Sequence, residues 1–220
     1  MKKNTKLIPS MIKDQKLVEQ RREQIIEGAV RLFIEKGFHK TTTREIAREC
    51  GLSIGTMYEY IQSKEDVLYL VCEHIHSELE QRLRESLSPE DSGIDSIRKS
   101  LKQLFHAMGE MHTSVLLIYQ ETKSLPKEQM RYVLNKEEEI TSIFEEILQK
   151  GMEDGTIQIH PASIKLMAHN IIVMGQMWTF RSWVLGRFYN LEEYTERQMN
   201  LLLDELTSGG LKNGNGNLSS

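Results

Sequence analysis

The chain has little that would tie it to a membrane, an oxidising compartment or a bound metal. Its longest apolar runs, such as Ile171-Ile172-Val173-Met174, fall far short of the ~20 residues that a membrane span requires. No membrane association is expected. Near the N-terminus Leu7-Ile8 is followed at once by Pro9 and Ser10, which leaves no apolar stretch for a secretory signal, so a cytoplasmic location is the expectation. Cysteine is scarce: Cys50 and Cys72 are the only two, without CxxC spacing, and both read as small packing residues rather than a disulfide or zinc pair. Seven histidines are present, but His74 and His76 stand two apart on a helix and point away from each other, and His106 and His112 lack the three- or four-residue spacing of a ligand pair. No metal and no cofactor are expected. There is also no Gly-rich phosphate loop, nucleophile motif or Glu-x-x-His pair, so no catalytic residue is assigned and an enzyme is not expected.

Strand alternation is missing too, apart from the short stretch 156–159, and the fold class expected is all-α. Residues 1–20 are polar and mixed in charge, apart from Leu7, Ile8, Met11, Ile12, Leu17 and Val18, and read as a flexible arm or an N-terminal extension of the first helix. Helical spacing of Ile25, Ile26, Ala29, Val30, Leu32 and Phe33 predicts a first helix over 21–36, which Gly37 stops. Thr42, three residues before Glu45, forms a capping box for a second helix of about two turns that ends at Gly51. Ser53 starts a third, and Ser63 with Asp66 starts a fourth over 64–87, before the loop Pro89-Glu90-Asp91-Ser92-Gly93. The remainder reads as helix as far as the Gly-, Asn- and Ser-rich tail 208–220, which is expected to be disordered. The domains predicted are therefore an arm over 1–20, a head of short helices over 21–66, a longer helical domain over 67–207, and the tail 208–220.

Charge is distributed in keeping with that division. Residues 1–64 hold 13 Lys and Arg against 8 Asp and Glu, while residues 65–220 hold 15 against 24. A basic head on an acidic body suits a protein whose head alone meets a polyanion.

Residues 42–60 follow the plan of a helix-turn-helix, in which a short second helix enters the major groove and the first braces it. Ala47 is small where the two helices approach, Gly51 supplies the turn, and Leu52 and Met57 hold the angle. The string Ala-x-x-x-Gly-Leu-Ser-x-Gly-Thr-x-Tyr-x-Tyr-Ile-x-Ser-Lys-Glu-Asp-Val-Leu, from Ala47 to Leu68, resembles the DNA-binding signature of the tetracycline-repressor (TetR) family. The preceding Ala29, Phe33, Gly37-Phe38, Thr41-Thr42-Thr43 and Ile46-Ala47 are similar to its first two helices. That resemblance implies a three-helix head followed by a divergent helical domain, and it assigns the faces. Thr43 and Arg44 at the start of the second helix are placed for phosphate; Ser53, Thr56, Tyr58 and Tyr60 offer hydroxyls; Gly55 allows close backbone approach; Lys64 corresponds to a phosphate-contacting lysine. So short a recognition helix reaches few bases, and a homodimer on a near-palindromic double-stranded operator follows, paired through the last two long helices.

The body offers candidates for a small-molecule effector. Met108, Met111, Met174 and Met177 are flexible thioethers suited to an adaptable pocket, and they are equally good fillers of a helical core. Arg181 lies within Trp178-Thr179-Phe180-Arg181-Ser182-Trp183, an aromatic and otherwise apolar segment in which a guanidinium needs an anion, a ring face or water. This segment, with Gly186 and Leu191-Glu192-Glu193, resembles acyl-CoA-responsive members of the family. The effector pocket expected comprises Phe105, Met108, Met111, Tyr119, Phe144, Met174, Met177, Trp178 and Arg181, with an interface salt bridge as the alternative role for Arg181. The function implied is a repressor released from its operator by an apolar or amphipathic effector, for which a fatty acyl-CoA is the candidate. A helical scaffold or enzyme whose head no longer binds DNA is the alternative.

Overall fold

The computed structural model describes residue 8 and residues 10–208, and these form nine α-helices and no strand. They are α1 (Gln15–Lys36), α2 (Thr43–Glu49), α3 (Ile54–Tyr58), α4 (Lys64–Glu85), α5 (Gly93–Glu110), α6 (His112–Glu121), α7 (Lys127–Glu153), α8 (Ile164–Leu185) and α9 (Leu191–Thr207). The expected tail lies outside the described residues, except for Ser208 at the end of α9. Over 15–20 the chain extends the first helix, the second of the two readings. Asp14 accepts from the backbone N–H groups of Lys16 and Leu17 and opens α1 at Gln15, so 15–20 is helix.

The chain divides into two compact units, one made of Met1–Glu78 with Thr113–Glu137 and the other of Leu79–His112 with Glu138–Ser220. In the first, Ile25, Ala29 and Phe33 of α1 are buried, as are Phe38, Ile46 and Met57, α1 packs on α2, and the Phe33 and Phe38 rings meet edge to face at 5.2 Å. Gly28 is needed there, because a Cβ on it would lie 2.5 Å from the Cys50 sulfur. Around this core Gln24 Nε2 donates to the Cys50 carbonyl at 2.6 Å, and Arg31 pairs with Glu49 at 3.0 Å. At the start of α4, Asp66 Oδ2 accepts the N–H groups of Gln62 and Ser63, while its other oxygen accepts from Gln129 Nε2 at 2.7 Å in a buried contact.

In the second unit the apolar stripe Ile97, Leu101, Leu104, Phe105 and Met108 of α5 packs against α8 and α9. Helices α5 and α7 meet through two glycines: a Cβ on Gly93 would lie 2.1 Å from the Cα of Gly151. Backbone cannot retreat as a side-chain tip can, so Gly93→Ala is expected to destabilise this unit by about 2 kcal/mol or more. A lowered urea midpoint is the readout, and an unchanged midpoint would show that the two helices part without cost. Helix α8 buries Ala168, Ile171, Ile172, Gly175 and Thr179 on one side yet leaves Leu166, Val173 and Trp183 exposed, so it is apolar on more than the face its own chain covers.

Candidate nucleic-acid interface

The geometry of the head is set by local signals. Thr42 and Glu45 form the expected reciprocal capping box, the Thr42 hydroxyl accepting from the Glu45 N–H and the Glu45 carboxylate accepting from the Thr42 N–H. Those bonds from Thr42, with a contribution from Lys36, hold the Glu45 carboxyl down at about 2. Helix α2 ends on Gly51, whose φ of 65° is a left-handed conformation that favours glycine, and Leu52 N–H returns to the Ala47 carbonyl at 2.8 Å. This fixes the turn. Ser53 then caps α3 by accepting the Thr56 N–H at 3.0 Å.

Polar groups of α2 and α3 meet on the exposed side. Thr43 Oγ1 and the Tyr58 hydroxyl are 3.2 Å apart, and Ser53 Oγ and Thr56 Oγ1 are 2.8 Å apart. Tyr58 is 45 % exposed, and Arg44, Ser53 and Gly55 are exposed as well. Beside Gly55 an added Cβ would find only Ser53 Oγ, at 3.7 Å. The structure thus brings Thr43, Arg44, Ser53, Gly55, Thr56 and Tyr58 onto two adjoining short helices.

Tyr60 departs from the expectation. It is 3 % exposed, so its ring belongs to the core of the head rather than to the outward row. Lys64 is committed in part: its ammonium donates to the Phe38 carbonyl at 2.9 Å and the His39 carbonyl at 3.3 Å, and lies 4.4 Å from the centre of the Phe38 ring. An ammonium has three donors, so one is left for a phosphate oxygen. Lys64→Ala is expected to weaken binding to all sequences alike and to lower the dependence of log K on log salt by about one per head. A titration with an unchanged slope would confine Lys64 to bracing the turn at Phe38 and His39.

Two residues that shape this site were missed. Arg22 is buried in α1 and donates to the carbonyls of Ile8 (2.7 Å) and Tyr60 (3.1 Å), and Gln129 holds Asp66. The signal for Arg22 was its register: it stands four residues after Val18 and three before Ile25, a charge within the apolar stripe.

The nine residues expected to line an effector pocket are divided between the two units. Tyr119 is 69 % exposed and belongs to the first unit, whereas the other eight belong to the second; Phe144 is fully buried in α7, and Arg181 is exposed. Four of them surround Tyr194, a residue not singled out from the sequence. Its ring packs on Trp178 at 5.1 Å and Phe105 at 6.0 Å, its hydroxyl donates to the Met174 carbonyl at 2.7 Å, and it shares with Met177 the wall of a cleft of about 420 Å³. Leu185, Tyr189, Arg197 and Leu201 also line that cleft, with the Arg197 guanidinium 5.4 Å from the centre of the Tyr189 ring. Met108 lies in the α5 stripe, where its carbonyl accepts from Thr179, and Met111 ends α5.

Comparison with known proteins agrees with the division into a helix-turn-helix head and a helical body. Residues 25–69 match the family model described as bacterial regulatory proteins of the tetR family, and residues 90–181 match a tetracyclin repressor-like C-terminal domain. The HTH-type transcriptional regulator HbdR of Aromatoleum sp. (strain CIB) is 27 % identical over 204 residues, which span 92 % of this chain and 88 % of that protein. A tetR-family regulatory protein from Rhodococcus RHA1 superposes with a TM-score of 0.75 at 21 % identity, covering 84 % of this chain and 96 % of the other. AibR, crystallised with isovaleryl coenzyme A and operator DNA, superposes with a TM-score of 0.66 at 18 % identity over 85 % of this chain and 98 % of its own. With one model matching the head and another the body, the chain belongs to the tetR family of bacterial regulatory proteins and is a DNA-binding transcriptional regulator.

Proposed function

We propose that two copies of this chain, paired through α8 and α9, set their α2–α3 heads on the two halves of a palindromic operator, and that a small amphipathic effector releases them. The observation that carries the DNA half is the row of outward hydroxyls at Thr43, Ser53, Thr56 and Tyr58, beside exposed Arg44 and the open backbone at Gly55. Hydroxyls and a guanidinium serve phosphates and base edges, and a helix with a glycine in its first turn lets the duplex come close there. Lys64 adds its remaining donor. The exposed Leu166, Val173 and Trp183 of α8 and Leu201 of α9 support pairing of the body, since a second copy would cover them. On this reading the chain acts as a repressor in the cytoplasm and not as an enzyme.

For the effector, an acyl-CoA fits best. An apolar chain would pack among Phe105, Met174, Met177 and Trp178 around Tyr194, while Arg197 or Arg181 would meet a phosphate or thioester oxygen. AibR, with the same fold, holds isovaleryl coenzyme A. Release follows from linkage: a ligand that prefers a body conformation unsuited to the operator lowers DNA affinity by the same factor by which DNA lowers its own. The test is to select bound duplexes from a random pool and titrate the complex with short- and long-chain acyl-CoAs. Release at micromolar ligand supports the reading; intact complexes throughout the series would remove acyl-CoA as the effector.

A further inference from the structure

The outward side of α3 carries a hydrocarbon among its hydroxyls. Ile54, the first residue of the helix, is 36 % exposed, and Tyr58 stands one turn further along the same side and is exposed too. Beside Ile54, Gly55 is exposed and has no side chain, and nothing lies nearer than 3.7 Å to the place a Cβ would take. Met57 is the residue of this helix that turns into the core. A branched apolar side chain next to a hollow is therefore part of the surface that α3 presents.

Single apolar side chains on a protein surface are ordinary. This one stands in a row of groups suited to DNA, and its chemistry is selective where theirs is not. Ser53 Oγ lies 2.8 Å from Thr56 Oγ1, and Thr43 Oγ1 lies 3.2 Å from the Tyr58 hydroxyl. A hydroxyl both donates and accepts, so it bonds to either kind of base edge and separates bases poorly. The Ile54 side chain can do neither. In the major groove guanine, adenine and cytosine present polar acceptors and donors, whereas thymine adds the C5-methyl group. A polar edge set against Ile54 would give up water with no hydrogen bond in return. A methyl group set there leaves water at a gain.

We propose that Ile54 is a base-reading residue specific for thymine: in each half of the operator the C5-methyl of one thymine packs on the Ile54 side chain, over the opening left by Gly55. This rests on α3 being the DNA-facing helix.

The test uses the full chain and a duplex selected by it from a random pool. Each thymine is replaced in turn, in both half-sites, by deoxyuridine, which removes the methyl group and keeps the Watson–Crick pair. Fluorescence anisotropy gives the affinity of the wild type, Ile54→Ala and Ile54→Val for every duplex, and thermal melts check that both variants fold. At one position the wild type is expected to lose about four-fold per half-site, the worth of one methyl group returned to water. Ile54→Ala is expected to lose less than about two-fold there, with Ile54→Val between, while losses at other positions keep their size in all three proteins. Where Ile54→Ala binds too weakly to titrate, the reduced loss in Ile54→Val decides. Deoxyuridine that costs the three proteins the same at every position, or nothing at any, overturns the contact. Failure of the wild-type chain to bind any duplex would instead overturn the DNA reading of α3, so the two failures are distinct.

Discussion

Gly55→Leu is expected to abolish DNA binding while leaving the protein folded. Gly55 is the second residue of α3 and is exposed, and the nearest atom to an added Cβ is Ser53 Oγ at 3.7 Å, an ordinary contact. The free protein has room for the larger residue. Leucine also gives up less conformational freedom on folding than glycine, so the fold is not expected to suffer. A duplex close enough to be read would meet four added carbon atoms on each of two heads. Affinity is expected to fall by at least about 100-fold, or close to 3 kcal/mol. Fluorescence anisotropy with a selected duplex measures the loss, and a thermal melt checks that the transition stays at or above that of the wild type. Retained binding would mean that this face of α3 does not approach DNA.

Acid is expected to weaken the protein in two separate windows. Burial pushes His76 of α4 down from 6.5 to about 4, with nearby Lys136 acting in the same direction and the Cys72 carbonyl opposing it. Below 6.5 the unfolded chain takes up a proton that the folded one refuses. The stability due to neutral His76 is therefore complete above 6.5 and is lost as pH falls toward 4, by at most about 3 kcal/mol. His76→Gln should flatten the urea midpoint across that interval; an undiminished fall would exclude His76 as its source. Glu45 acts lower down. Its carboxyl is depressed, so the stability of the α2 cap is present above about 4.5 and disappears as pH falls toward 2.

What could be read from the sequence was local. Thr42 with Glu45, Ser53 with Thr56, Ser63 with Asp66, and Gly51 all act over four residues or fewer, and each stands in the structure where its spacing puts it. The helices of the head follow from those signals together with apolar periodicity. Contacts across long separations left almost no trace. Arg22 and Tyr60 are 38 positions apart and Asp66 and Gln129 are 63 apart, and no periodicity links them. Tyr60 illustrates another limit. Its residue type suits a hydroxyl contact, but its ring fills the core, and composition does not distinguish a phenol that faces water from one that does not. The grouping within the effector set shows the same limit: Phe105, Met174, Met177 and Trp178 converge because helix packing brings them to Tyr194, a residue that no sequence spacing links to them.

The brevity of α3 has a consequence best put as information. Five residues make a rod about 7.5 Å long, which runs past two or three base pairs stacked about 3.4 Å apart. A fully specified base pair is worth two bits, so one head encodes about five and a pair about ten. Singling out one address among the million or more that a genome offers takes about twenty bits. The remainder must be written elsewhere, in the fixed distance between two heads and in the stiffness of the DNA that lies between their half-sites.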